Sequence, residues 1–253
     1  MRRFSCVLLA VLSLFIGSFV FLSCSDSADE TMAGKLQFKA NGEDFVRQGF
    51  TSKDDWNINF DHVYISLAEV TAYQTEPPYD PHSGEHIEAD VKVGLYQPYT
   101  VDLAEGDENA APILIDEAQN AIAGHYNAVS WKLVKATEGL AKGYSLIMTG
   151  TAEKDGRSLD FTINIDEECE YHCGEYVGDE RKGIITDGGT AEVEMTFHFD
   201  HIFGDADLSP DDDLNLNALG FEPFIDAPES HAINLDIPEL HLGHVGEGHC
   251  HCE

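Results

Sequence analysis

The chain has 253 residues, 47 acidic side chains against 14 basic ones, and a formal charge of −33. So acidic a surface repels nucleic acid and attracts cations, and solubility alone would equally account for it. The length suits one large β domain or two small ones, and six cysteines with twelve histidines make sulfur and imidazole chemistry worth locating.

Taken in order, residues 1–23 read as a signal peptide: Arg2 and Arg3 precede an apolar run over 7–22, and Leu22-Ser23-Cys24 leads into polar Ser25-Asp26-Ser27. The segment resembles a bacterial lipobox, with Cys24 as the lipidated first residue after processing. That resemblance implies a lipid-anchored protein of the bacterial cell envelope. Because Ser25 rather than Asp follows Cys24, it implies the outer membrane. An uncleaved membrane anchor is the alternative, the apolar run being nearly long enough to span a bilayer. Residues 24–34 then form a lipidated, polar tether.

Residues 35–40 alternate through Leu36, Phe38 and Ala40, and Asn41-Gly42 closes this first strand with a turn. Trp56, Ile58 and Phe60 alternate again, and Val63, Ile65 and Leu67 continue in shifted phase. Two short strands, or one long strand with a bulge near Asp61-His62, satisfy that pattern. Residues 76–84 are a proline-rich loop, 91–103 return to strand, and 104–111 are an acidic loop. Residues 115–123 predict the single short helix, with Gly124 at its C-cap, and 126–134 predict a strand. Lys154-Asp155-Gly156-Arg157 predicts a type I′ hairpin turn between strands over 144–150 and 159–165. A long polar excursion over 167–189 carries two cysteines.

From Ala191 the apolar set Val193, Met195, Phe197 and Phe199 alternates with Glu192, Glu194, Thr196, His198 and Asp200. A strand here would direct His198 and Asp200 the same way, about 7 Å apart. The whole pattern predicts an all-β chain, an antiparallel β-sandwich of immunoglobulin-like kind with one short helix. That domain occupies 35–225, and a long irregular His/Cys-rich C-terminal tail occupies 226–253.

The succession 56–67, then Ala123-Gly124-His125-Tyr126, then the hairpin at 154–157 resembles β-sandwich metal-binding lipoproteins of bacterial envelopes, among them copper-binding lipoproteins of the MbnP type. The resemblance covers about half the chain and implies the sandwich fold. No ligand is carried over from it, because the four-cysteine arrangement of that group is not reproduced residue for residue.

Four constellations suit metal ions. The carboxyl end holds His241, His244, His249, Cys250, His251 and Cys252 among glycines that let backbone fold around an ion. Imidazole and thiolate are ligands for zinc and copper. Cys169, His172 and Cys173 would share one face of a helical turn as a zinc or copper half-site. Disulfide pairing of these cysteines, with each other or with the tail, is equally open. His198, Asp200 and His201 pair a carboxylate with two imidazoles; a solvated strand face is the alternative. Asp205, Asp207, Asp211 and Asp213 invite calcium, but Pro210 stands where an EF-hand needs glycine and Leu216 where it needs glutamate. A different oxygen-ligand calcium site and a simply solvated loop, with Asp capping a helix near 213–218, remain the two readings.

The expectation is a non-enzymatic, lipid-anchored envelope protein that binds zinc or copper for uptake, buffering or handover to an envelope metal transporter or receptor. The alternative is a disulfide-stapled, calcium-stabilised structural or interaction lipoprotein. A metallohydrolase using His198 and His201, with Glu192 or Glu194 as base, is the third reading. No nucleophile elbow, phosphate loop or dinucleotide fingerprint is present in the chain.

Overall fold

Alternation of apolar and charged side chains decides the first strand, β1 (Gly34–Asn41). Leu36, Phe38 and Ala40 are fully buried, while Lys35 reaches Glu117 at 2.9 Å and Lys39 pairs with Glu192. The computed structural model describes residues 33–174, 182–225, 242–245 and 250–252. Cys24, the segment 1–23 read as a signal peptide, most of the segment 24–34 read as a tether, His241 and His249 lie outside the described residues. After β1 come α1 (Glu43–Gln48), β2 (Phe50–Thr51), β3 (Asn57–Gln74), β4 (Val91–Gly94), β5 (Tyr99–Asp102), β6 (Ile113–Ala121), β7 (Gly124–His125), β8 (Ala128–Leu133), β9 (Leu146–Lys154) and β10 (Arg157–Ile165). The rest comprises β11 (Cys169–Gly174), β12 (Ile184–Ile185), β13 (Thr190–Phe197), α2 (Asp200–Phe203), α3 (Asp213–Asn217), β14 (Gly243–His244) and β15 (Cys250–Cys252).

Two sheets carry the fold, which is all-β and sandwich-like. The smaller runs β14-β13-β1-β6; the larger runs β10-β9-β3-β8-β11-β15, with β2, β4 and β5 also pairing with β3. Pairing between these strands is antiparallel except for β1 on β13, which is parallel. That one pair is the exception in an otherwise antiparallel sandwich. The sheets close on one core, with Phe38, Met195 and Phe197 from the smaller meeting Ile65, Trp131 and Met148 from the larger. Trp131 meets Phe197 edge-on at 6.0 Å across the two layers. Each such side chain contributes about 1.5–3 kcal/mol on burial.

The long β3 resolves the first ambiguity. It is one strand whose register slips between Phe60 and His62, so Asp61 is the bulged residue. The hairpin at 154–157 forms as the sequence predicts, with Asp155 and Gly156 at φ 51° and 78°, as a type I′ turn requires.

The expected helix over 115–123 is instead strand β6. Its buried residues Ile115, Ala118 and Ala121 do recur every three positions, which is what suggested a helix. The cause is two bulges. Against β1 the register skips Ile115 and Asn120, and each extra residue stretches the period of two to three. Gly124 is no helix C-cap either; at φ 145° it opens β7. Three short α-helices and two single-turn 3-10 helices, at Pro81–Ser83 and Glu222–Phe224, occur among the described residues, all at other places. Where the tail is described it is not irregular: β14 and β15 add edge strands to the two sheets. Among the described residues no helix is long and apolar enough to cross a membrane.

Tyr99 on β5 donates to Asp116 on β6 at 2.6 Å and so ties the two sheets at their rim. Acceptance by Asp116, with some burial, pushes the Tyr99 pKa up to about 12. Folding favours the neutral phenol, so this contribution is present below the ordinary tyrosine value near 10 and is lost as pH rises through about 12. In a rim so open to solvent it amounts to less than about 1 kcal/mol. Wild-type stability is therefore expected to fall toward that of Tyr99→Phe between about pH 10 and 12. Denaturation curves of the two proteins that stay equally separated across that window would remove the assignment.

Candidate metal centre

β13 does not run on to Asp200 as its alternation suggests. It ends at Phe197, and the chain turns through Phe199 into the single turn of α2, closed by Gly204 at φ 71°. Phe199, Ile202 and Phe203 are fully buried and pull that turn into the core. A strand would have aligned His198 with Asp200. The turn instead draws His198 toward His201: the His201 N–H reaches the His198 carbonyl at 3.3 Å, and the ring centroids lie 5.3 Å apart.

A third imidazole arrives from the far end of the chain. β14 pairs with β13 so that His244 stands opposite Thr196, and the His198 N–H donates to the Leu242 carbonyl at 2.9 Å. The His244 ring lies 4.5 Å from that of His198 and 5.6 Å from that of His201.

Two carboxylates complete the cluster. A ligand atom from each of His198, Asp200 and His201 lies within 4.8 Å of the others, the one such group among the described residues. Asp200 is buried and its Oδ1 has no hydrogen-bond partner. Burial pushes the Asp200 carboxyl above the usual carboxylate range, against the pull of His201 and His198. Glu43 places Oε2 at 3.1 Å from His198 Nδ1. Burial alone would raise Glu43, but its bond to His198 and the charges of His198, His244 and His201 outweigh it and hold it below the usual range.

No spacing in the sequence points to Glu43. Parallel pairing sets Asn41 beside Thr196, so the residues that follow the two strands emerge side by side. Glu43 is also held at φ 59°, a left-handed conformation that a non-glycine residue adopts at some energetic expense, while its N–H donates to Asn41 Oδ1 at 3.0 Å. Glu43 and His198 are both partly exposed, so the cluster is reachable from solvent.

The cysteines at 169, 173, 250 and 252 are paired with one another in this fold. Cys169 is bonded to Cys252 and Cys173 to Cys250. The segment 169–173 is not a helical turn: as strand β11 it sends Cys169, Tyr171 and Cys173 to one face and Glu170 and His172 to the other. A sulfur held in a disulfide has no thiolate to offer an ion. His172 is buried beside His86, ring to ring at 5.6 Å, and faces His251 in the register of β11 and β15. Neither belongs to the tight group with His198.

The acidic loop is organised around a side-chain amide. Buried Asn215 fills its centre, donating Nδ2 to the carbonyls of Asp205, Leu208 and Ser209 and accepting the Asp205 N–H. Carbonyls a cation would collect are already satisfied by an amide. Asp207 is an exposed loop residue, and Asp213 opens α3, which Asp212 caps by accepting the Leu214 N–H at 3.0 Å. A surface cleft lined by Gln74, Glu76, Glu88, Asp90 and His125 among others gathers no metal-holding group among the described residues.

Residues 242–245 are held by a narrow margin. Leu242 and Val245 are buried and contribute about 1.5–3 kcal/mol each. Ordering four residues costs about 1–2 kcal/mol apiece. The two sums nearly cancel.

Comparison with family models, curated proteins and solved structures gave no match.

Proposed function

We propose that this chain binds a transition-metal ion, zinc or copper(II), through His198, His201 and His244, with Asp200 and Glu43 as carboxylate partners. The carrying observation is that ligand atoms of His198, Asp200 and His201 lie within 4.8 Å of one another beside a buried Asp200 Oδ1 that no protein donor satisfies, with the His244 ring 4.5 Å from that of His198. Nitrogen and oxygen donors suit Zn²⁺ and Cu²⁺; without thiolates the set disfavours Cu⁺. Glu43 at His198 Nδ1 fixes that ring's orientation and leaves Nε2 for the ion. The acidic surface raises the local cation concentration. Uptake, buffering or handover of the ion to an envelope transporter or receptor is the role this supports, rather than catalysis.

The lipobox-like segment ending in Cys24 supports anchorage in the cell envelope, at the outer membrane. Cys24→Ala is expected to move the protein from the membrane to the soluble fraction; unchanged membrane retention overturns the anchor.

The two disulfides favour a second reading, a stapled structural or interaction lipoprotein. Elemental analysis of the purified protein separates the two. About one equivalent of zinc or copper per chain, retained through desalting, supports the metal reading. A protein that neither carries nor takes up either ion leaves the stapled one.

A further inference from the structure

The third histidine reaches the centre from a segment with little hold of its own, and the disulfides lie a short way beyond it. Six residues after His244 the chain arrives at Cys250, bonded to Cys173, and then at Cys252, bonded to Cys169. Upstream, nineteen residues separate His244 from Ile225, where the preceding described segment ends. The disulfides are thus the nearest covalent hold on His244 along the chain.

The same strand that carries the cysteines also meets the residue before His244. Tyr171 on β11 stands opposite Cys252 in register and stacks on Trp131 at 4.9 Å. Gly243 lies on both rings: a Cβ there would come 2.8 Å from Tyr171 Cε1 and 2.9 Å from Trp131 Cζ2. So β11 grips the C-terminal segment twice, covalently at Cys250 and Cys252 and by close packing at Gly243.

Resting on the metal reading above, we propose that Cys169–Cys252, Cys173–Cys250 and Gly243 are positioning residues whose task is to set His244 in the metal centre. With the strap anchored, the ion meets three imidazoles. With the strap loosened, it meets two, and affinity drops. The disulfides then act on metal binding beyond their effect on stability.

The discriminating variant keeps both bridges and every histidine but inserts twelve Gly/Ser residues within 246–249, lengthening the span from six residues to about eighteen. Zn²⁺ affinity, measured by competition with a chromogenic chelator, is expected to fall about three- to fivefold, because the effective concentration of a tethered group falls as roughly the −3/2 power of tether length. Cu²⁺ bound to the variant should show a changed electron paramagnetic resonance spectrum matching that of His244→Ala. Gly243→Ala is expected to weaken Zn²⁺ binding about tenfold or more while Tyr171 and Trp131 stay folded, judged by near-ultraviolet circular dichroism. Affinity and spectrum unchanged in both variants overturn the proposal.

Amide hydrogen exchange at 243–245 in metal-free protein supplies an arm independent of the ion. Faster exchange in the insertion variant supports strap anchoring even where the wild type takes up no metal, a result that would sink the metal reading alone. Equal exchange in both counts against the anchor itself.

Discussion

His198→Ala or His201→Ala is expected to lower zinc and copper(II) affinity by about a hundredfold or more, since removing even an outer-shell partner of a ligand costs ten- to a hundredfold. Titration of the purified protein with either ion reads this directly. A thermal shift gives a second reading: an ion at a hundred times its Kd stabilises the folded state by about 2.7 kcal/mol, and the variants lose that increment. Asp200→Asn separates a metal site from a packing cluster. The buried Oδ1 has no partner, and the carboxyl is held above its usual range because burial disfavours its charge. Removing that charge is expected to leave metal-free stability unchanged or raised by up to about 2 kcal/mol while weakening metal binding. A variant that loses stability without metal and keeps affinity would falsify the site. Acidification also weakens binding, because protons compete for the imidazole nitrogens an ion needs.

The second large effect concerns the two disulfides, which should contribute far more together than the single deletions suggest. They close spans of 83 and 77 residues between the same two strands. By loop entropy, the first bridge to form stabilises by about 4–5 kcal/mol, and the second, closing only the small ring that remains, by about 2–3 kcal/mol. Cys169→Ser/Cys252→Ser or Cys173→Ser/Cys250→Ser alone therefore loses about 2–3 kcal/mol, and all four substitutions together about 7 kcal/mol. Urea denaturation of the three variants checks the cycle. Strict additivity would show that the bridges act by local packing rather than by closing the long loop. A loss near 7 kcal/mol approaches the whole stability of a domain this size, which is why the strap is better tested with its bridges intact.

Local pattern carried the strands whose burial follows the pleat. Leu36, Phe38 and Ala40 in β1, the bulged run of β3 and the Asp155-Gly156 turn are all legible because backbone geometry ties period two and positive φ to side-chain type. The same rule misreads β6, where bulges at Ile115 and Asn120 turn a strand's period into a helix-like three. Bulges are set by the neighbouring strand, and no residue of β6 announces them. It also misreads 169–173, where cysteine spacing suits a helical ligand set but pairing with β8 and β15 draws the segment into a strand.

By itself the sequence determined the ingredients: an all-β chain, a strongly acidic composition, and a set of histidines, cysteines and aspartates, His198, Asp200, His201 and His244 among them, whose side chains are able to ligate an ion. Only the tertiary structure decided their assembly. One parallel pairing brought Glu43 to His198 across a separation of more than a hundred and fifty residues, and the C-terminal strand brought His244 to both. The turn at Phe199 replaced a strand's alignment with a helical one. Two disulfides took up the four sulfurs, and one buried asparagine bonded the carbonyls of the acidic loop. Side-chain identity fixes what an atom can bind, but which atoms share a point in space depends on long-range pairing that local sequence does not encode.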